Sequence, residues 1–265
     1  MDAVAVSRHI SRHISRHIAG AGTTAAAWRL APELAAAPST TLDRLAPPGT
    51  RVVVVAPHPD DEILACGALL YMLAQRGDTP VVVAVTDGEA SHPGSPDWPP
   101  ARLRAQRSHE TVAALACLGL AQPRIERLGI PDGGVEAAES VLATRLGALL
   151  RPDDLLITTW DHDGHPDHEA TARSCAAAAR EHEARLLQAP VWGWHWSAPG
   201  DGAMPWSHAR KLALPADALE RKRAALACFT SQVEGDASTG AAPILPAFAM
   251  ERVLHPFELF FDCHD

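Results

Sequence analysis

The sequence predicts an α/β protein, a Rossmann-like three-layer sandwich with a mostly parallel sheet and its site at the carboxyl ends of the strands. Three observations carry that expectation. Between Arg51 and His182, short apolar runs alternate with longer helix-like segments, the pattern of parallel strands with helices on both faces. Two of the runs, Val52–Val55 and Leu155–Thr159, lead directly into dense clusters of His and Asp, and open α/β sheets bind ligands at their strand ends. Finally, 265 residues at 47% hydrophobic content can bury a sizeable core.

The elements follow in chain order. Ser-Arg-His-Ile is repeated in tandem from Ser7 to Ile18. Residues 1–20 read as an exposed low-complexity tail, with a His-rich metal tract as the sharper alternative. Residues 21–47 read as a short helical extension, Ala-rich from Ala25 to Leu45 and closed by Pro47-Pro48-Gly49. One domain is expected from 48 to 265. Arg51–Ala56 is its first strand, and Asp61–Arg76 a helix with acids in its first turn, where the helix dipole favours them. Pro80–Thr86 is a second strand, followed by a Pro-rich loop from Ser91 to Pro100. Arg102–Leu118 is a helix that ends at Gly119, Arg124–Leu128 a short strand, and Val135–Leu150 a helix. Leu155–Thr159 is a strand, Trp160–Asp167 a loop and His168–His182 a helix. In the less regular last third, Pro190–Trp196 alternates like a strand, Pro215–Phe229 reads as a helix and Phe257–Phe261 as an edge strand.

Composition excludes several classes. A formal net charge of -9 leaves no basic footprint for nucleic acid. No apolar run approaches the ~18 residues of a membrane span, and no signal-peptide core follows the N-terminus. The five cysteines are scattered without a CxxC pair, which suits reduced thiols and cytoplasmic residence. The first strand exit lacks the GxGxxG that admits a pyrophosphate, so a nucleotide-dependent enzyme is disfavoured.

The first polar cluster is Ala56-Pro57-His58-Pro59-Asp60-Asp61-Glu62; the second runs from Asp161 to Glu169. Apolar cores do not need such groups, whereas a divalent metal does, with a carboxylate left over to handle protons. Alone, His-Pro-Asp-Asp also reads as a helix N-cap beside a stray His. Within the second cluster, His162 and Asp163 rival His168 as ligands, and residue chemistry does not decide between them.

The motifs Pro57-His58-Pro59-Asp60-Asp61-Glu62 and His165-Pro166-Asp167-His168 resemble the zinc-dependent deacetylase family of the N-acetylglucosaminyl-phosphatidylinositol de-N-acetylase type (PIG-L, or LmbE-like), with its mycothiol and bacillithiol precursor relatives. Thr86-Asp87-Gly88-Glu89, Arg107, Glu110 and Leu128–Gly133 agree more weakly, and the likeness fades beyond Ala178. The resemblance implies His58, Asp61 and His168 as zinc ligands, a set that iron(II) or cobalt(II) would also accept. It implies Asp60 as general base and His165, in protonated form, as oxyanion stabiliser, with Asp167 holding that imidazole in its charged state. The implied activity is removal of an N-acetyl group from an N-acetylated amino sugar or conjugate. A larger acyl conjugate as substrate, or a non-catalytic metal- or sugar-binding role, is the alternative. The implied partners are that small molecule and a second copy of the chain in a homo-oligomer.

Arg107 and Asp132 are candidate hydroxyl-binding residues by resemblance, a structural salt bridge being the other reading of Arg107. Trp98 in the Pro-rich loop and Trp194 are candidate sugar contacts. On a strand, Trp192, Trp194 and Trp196 would share one face, either as a sugar-stacking wall or as core or subunit interface. Relatives of the mycothiol type often carry a Tyr two positions before the first His of the second motif. Asp163 stands there in this chain, which puts any contribution from that Tyr in doubt.

Overall fold

A computed structural model describes residues 16, 18 and 20–263. Helices α1 (Ala25–Arg29) and α2 (Pro32–Ala36), a two-residue strand β1 (Ser39–Thr40) and a single turn α3 (Leu42–Leu45) open the chain. The alternating region follows as β2 (Val52–Ala56), α4 (Asp61–Arg76), β3 (Val81–Ala84), α5 (Pro100–Cys117), β4 (Arg124–Arg127), α6 (Glu139–Leu149), β5 (Leu155–Thr159) and α7 (Pro166–Glu181). The last third contains β6 (Arg185–Ala189), α8 (Gly193–Trp196), β7 (Ala209–Ala213), α9 (Ala216–Leu226), α10 (Thr230–Val233), α11 (Ala247–Met250) and β8 (Phe257–Asp262).

All these strands join one sheet in the order β1-β7-β8-β6-β5-β2-β3-β4. From β4 to β6 every pairing is parallel, whereas β8 runs antiparallel between β6 and β7. Helices cover both faces, which makes the three layers. Val52 and Val54 pack with Leu69, Leu115 and Leu226 on the side of α4, α5 and α9. Val53 and Val55 pack with Leu142, Leu146 and Ala178 on the side of α6 and α7. A strand buried on both faces reads as an unbroken Val run rather than an alternating one. The chain leaves β2 towards β3 on one side, and β5 lies on the other. This is a topological switch point, where the strand exits open a crevice.

Several expectations are corrected. Pro190–Trp196 is not a strand: Val191, Trp192 and Gly193 donate their N–H groups to the Asp163 carboxylate instead of to a neighbouring strand. The true strand here, β6, precedes that stretch. Phe257–Asp262 is not an edge, because it pairs with both β6 and β7. The segment 21–47 is built into the domain and not appended to it. Trp28 is buried in the main core and donates from Nε1 to the Trp194 carbonyl at 2.8 Å, and β1 pairs with β7. The tandem repeat lies outside the described residues except for Arg16 and Ile18. Arg16 ion-pairs with Glu169 at 2.6 Å.

Helix α4 breaks at Cys66, whose φ of −146° is not helical. The fully buried Lys222 donates to the Leu64 carbonyl at 2.9 Å, and Glu258 accepts from Ala68 N and Leu69 N, each at 2.8 Å. This ion pair satisfies backbone groups that the break frees, and it anchors the turn carrying Asp61 and Glu62. Among the described residues no helix is long and apolar enough to cross a membrane.

Candidate active site

The two motifs are distant in the sequence but sit on adjacent strands. Val55 of β2 is in register with Thr158 of β5, so the loops that leave them meet. In the first loop, Asp60 caps α4 with φ of 115°, a conformation that L-residues rarely adopt. In the second, His165 caps α7: its Nδ1 accepts the Asp167 N–H at 3.2 Å, and Pro166 occupies the first helical position. The His-Pro-Asp-His spacing is therefore a helix start that also places His168 one turn in.

At the meeting point the Asp61 Oδ2 lies 3.2 Å from His58 Nδ1 and 3.1 Å from His168 Nε2. Ligands about 2.1 Å from a tetrahedral ion are separated by roughly this distance. Two imidazoles and a carboxylate are a donor set that suits a divalent ion, and each imidazole stands at ligand spacing from Asp61. Among the described residues, the groups whose donor atoms all lie within 4.8 Å of one another are His58 with His165 and His168, and His58 with Asp132 and Asp167. His162 is turned away: it is exposed, bonded to Asp161 at 2.7 Å, and lines a separate cavity with Arg180 and His208.

The electrostatics suit a cation. Burial alone would lower the pKa of His58, but Asp132, Asp167 and Asp61 outweigh it and hold the pKa well above the usual value. Burial likewise opposes His168, yet Asp61 and Asp163 push it up to about 9. Burial would raise Asp61, but His168 and His58 hold it far below the usual carboxylate range. The protons on the two imidazoles thus supply positive charge that a divalent ion would bring. Asp60 is different. Burial and the neighbouring Asp61 push it up, Arg107 restrains it, and it settles at about 7. Glu62, whose Oε2 accepts the Asp60 N–H at 3.0 Å, is raised to about 8 by burial and by Asp60.

Asp167 does not hold His165 as expected. Its carboxylate accepts from Gly133 N at 2.7 Å and Val135 N at 3.2 Å, and faces His58 Nε2 at 3.2 Å. Burial and the charges of His168 and His58 lower His165 to about 3, so its imidazole is neutral and not cationic. With Nδ1 accepting, its proton sits on Nε2.

The remaining candidates divide. Arg107 and Asp132 line the same cavity, of about 260 Å³, as His58, Asp60, Asp61, His165 and His168. Arg107 is buried and donates to Asp60 Oδ2 at 3.1 Å, Pro59 O at 2.6 Å and Gly88 O at 2.9 Å. Gly88 must lack a side chain, since a Cβ there would lie 2.0 Å from the Arg107 guanidinium. Asp132 accepts the Ala90 N–H at 2.9 Å and faces His58 at 3.2 Å. The Trp98 ring packs under Arg102 and beside His92, away from the cavity lining. Trp194 is a core residue, edge-on to Trp28 with centroids 5.1 Å apart, and not a sugar contact. Trp196 stacks on Trp160, so the three indoles share no face. Trp192 is the one that lines the cavity. Ala90, Ser91, Gly133, Gln232, Leu64, Ile244 and Leu245 complete the lining, and none of them had been given a site role from the sequence. Glu110 fixes Gln232 indirectly, accepting from Ser231 N at 2.8 Å and Thr230 Oγ1 at 2.9 Å.

Comparison with known proteins follows the same residues. The model of the family described as GlcNAc-PI de-N-acetylase matches residues 53–179. A 1D-myo-inositol 2-acetamido-2-deoxy-alpha-D-glucopyranoside deacetylase of Mycolicibacterium gilvum is 31% identical over 181 residues, 58% of this chain and 61% of that protein. The chain thus spans only 61% of that relative's length, and 55% of its counterpart in Kineococcus radiotolerans. The uncharacterized deacetylase YaiS of Escherichia coli is 30% identical over 138 residues, 49% of this chain and 68% of that one. The fold is shared with the A40926 pseudoaglycone deacetylase Dbv21, with a TM-score of 0.56 and 24% identity over 80% of this chain and 96% of that one.

Proposed function

The chain belongs to the GlcNAc-PI de-N-acetylase (PIG-L) family, and from that premise we propose that it is a zinc-dependent hydrolase removing the acetyl group from an N-acetylated amino sugar or its conjugate. One observation carries this reading. A three-donor cluster of His58, Asp61 and His168 shares a cavity with a separate buried carboxylate, Asp60, whose pKa is about 7. His58, Asp61 and His168 would hold the ion. When bound, it supplies Lewis acidity and lowers the pKa of water to ~7.

The chain's own residues do the rest. Asp60 takes a proton from the attacking water as the new C–O bond forms, then returns it to the amine nitrogen as the C–N bond breaks. Arg107 keeps Asp60 oriented through Oδ2. His165, as a neutral Nε2–H donor, stabilises the oxyanion. Asp132, Ser91 and Gln232 offer hydrogen bonds to sugar hydroxyls, and Trp192 offers a ring face. The apolar rim of Leu64, Ile244 and Leu245 favours a second reading within the same chemistry, an amidase acting on a larger acyl conjugate. The five cysteines, scattered without a CxxC pair, support cytoplasmic residence.

The test is amine release from a panel of N-acetylated sugars, including the inositol glycoside named for the Mycolicibacterium relative, with metal-free and zinc-loaded protein. Zinc-dependent release is expected. Stoichiometric zinc without release from any sugar, but with release from long-chain N-acyl substrates, would move the assignment to the amidase.

A further inference from the structure

Asp163 is completely buried, and its carboxylate has two sets of partners. Oδ2 lies 2.8 Å from His168 Nδ1. The same group accepts three successive backbone N–H bonds: from Val191 and Gly193 to Oδ1 at 2.9 and 2.8 Å, and from Trp192 to Oδ2 at 2.9 Å. Its backbone carbonyl accepts Trp196 Nε1 at 2.8 Å. Successive N–H groups converging on one anion form a nest, which a neutral side chain fills poorly. One side chain therefore joins the back of an imidazole facing Asp61 to the backbone of Trp192, a wall of the cavity.

Resting on the proposed role of His168 as a ligand, we infer that Asp163 is a positioning residue that couples metal binding to the order of the Trp192 wall. To donate to Asp163, His168 must carry its proton on Nδ1, which leaves the Nε2 lone pair for an ion. An ion on Nε2 makes Nδ1–H a stronger donor. The stronger bond fixes the Asp163 carboxylate, and the carboxylate fixes the three amides that hold the wall. Metal and sugar then bind cooperatively, each raising the other's affinity by the same factor.

The experiment compares the wild type with Asp163→Asn, which keeps the shape but replaces one accepting oxygen by a donor. Zinc affinity is read by competition with a chromophoric chelator. Hydrogen–deuterium exchange of the peptide spanning residues 190–196 is read with and without zinc. In the wild type, zinc is expected to slow that exchange. In Asp163→Asn, zinc is expected to bind ~10–100-fold more weakly and to leave the exchange unchanged even at saturation. Wild-type affinity in the variant, or intact zinc-dependent protection, overturns the inference. Should Asp163→Asn not fold, the wild type decides alone: no zinc-dependent protection there sinks the coupling. His168→Ala separates the two claims. If it binds zinc like the wild type, the ligand assignment falls and the coupling with it. If it loses zinc while Asp163→Asn is unaffected, only the coupling falls.

Discussion

The loop after β2 and the loop after β5 carry the same residue types at the same height of the sheet, yet they use them oppositely. In the first, from Pro57 to Glu62, the carboxylates of Asp60 and Asp61 line the cavity. In the second, from Trp160 to His168, the carboxylates of Asp163 and Asp167 are occupied by backbone N–H groups as well as imidazoles, and the histidines line the cavity. Local backbone supply makes the difference. The segments 191–193 and 133–135 present N–H groups that no strand pairs, and a buried anion answers them. We propose that an aspartate serves as reagent where a guanidinium flanks it, as at Asp60, and as anchor where several amides do, as at Asp163 and Asp167.

The contrast predicts graded effects. Largest is His168→Ala, which removes an imidazole from the second loop: zinc content should fall below stoichiometric and amine release should vanish, checked by metal analysis of the purified variant. Next is Asp60→Asn, in the first loop. Turnover should fall by on the order of 10²–10⁴-fold while zinc stays bound; a variant that loses zinc instead would erase the division between reagent and anchor. A smaller effect is expected for Arg107→Leu. Burial raises the pKa of Asp60 and Arg107 is the foremost influence lowering it, so its removal should move the acid limb of kcat/KM to higher pH. The sign follows because the base works only when ionised: a higher pKa delays ionisation as pH rises. A bound ion adds its own lowering, so the wild-type limb should lie at or below about 7, read from a pH–rate profile. Smallest is Trp98→Ala, outside the cavity lining. KM should be unchanged and stability should fall by about 0.5–1 kcal/mol, the worth of an exposed cation–π contact with Arg102; a raised KM would return Trp98 to the substrate side.

From sequence alone, the Val run of β2, the helix-like stretches and the His/Asp clusters at two strand exits determined a parallel α/β sheet with a polar site at its carboxyl end. Those signals are local: burial on both faces demands continuous apolar residues, and a helix start demands capping and acid-tolerant positions. The Trp192–Trp196 alternation misled because period two describes a strand only when its N–H groups find a strand partner, and here they find Asp163. Likewise β6 was missed because Arg185-Leu-Leu-Gln-Ala does not present a long apolar run. Gln232, Ile244 and Leu245 reach the site only because the C-terminal segments fold back beside α4, α5 and β6. Which groups surround each carboxylate was likewise a tertiary decision. A carboxyl group's pKa and partners are set by neighbours brought from elsewhere in the chain, such as Arg107 for Asp60 and the 191–193 amides for Asp163.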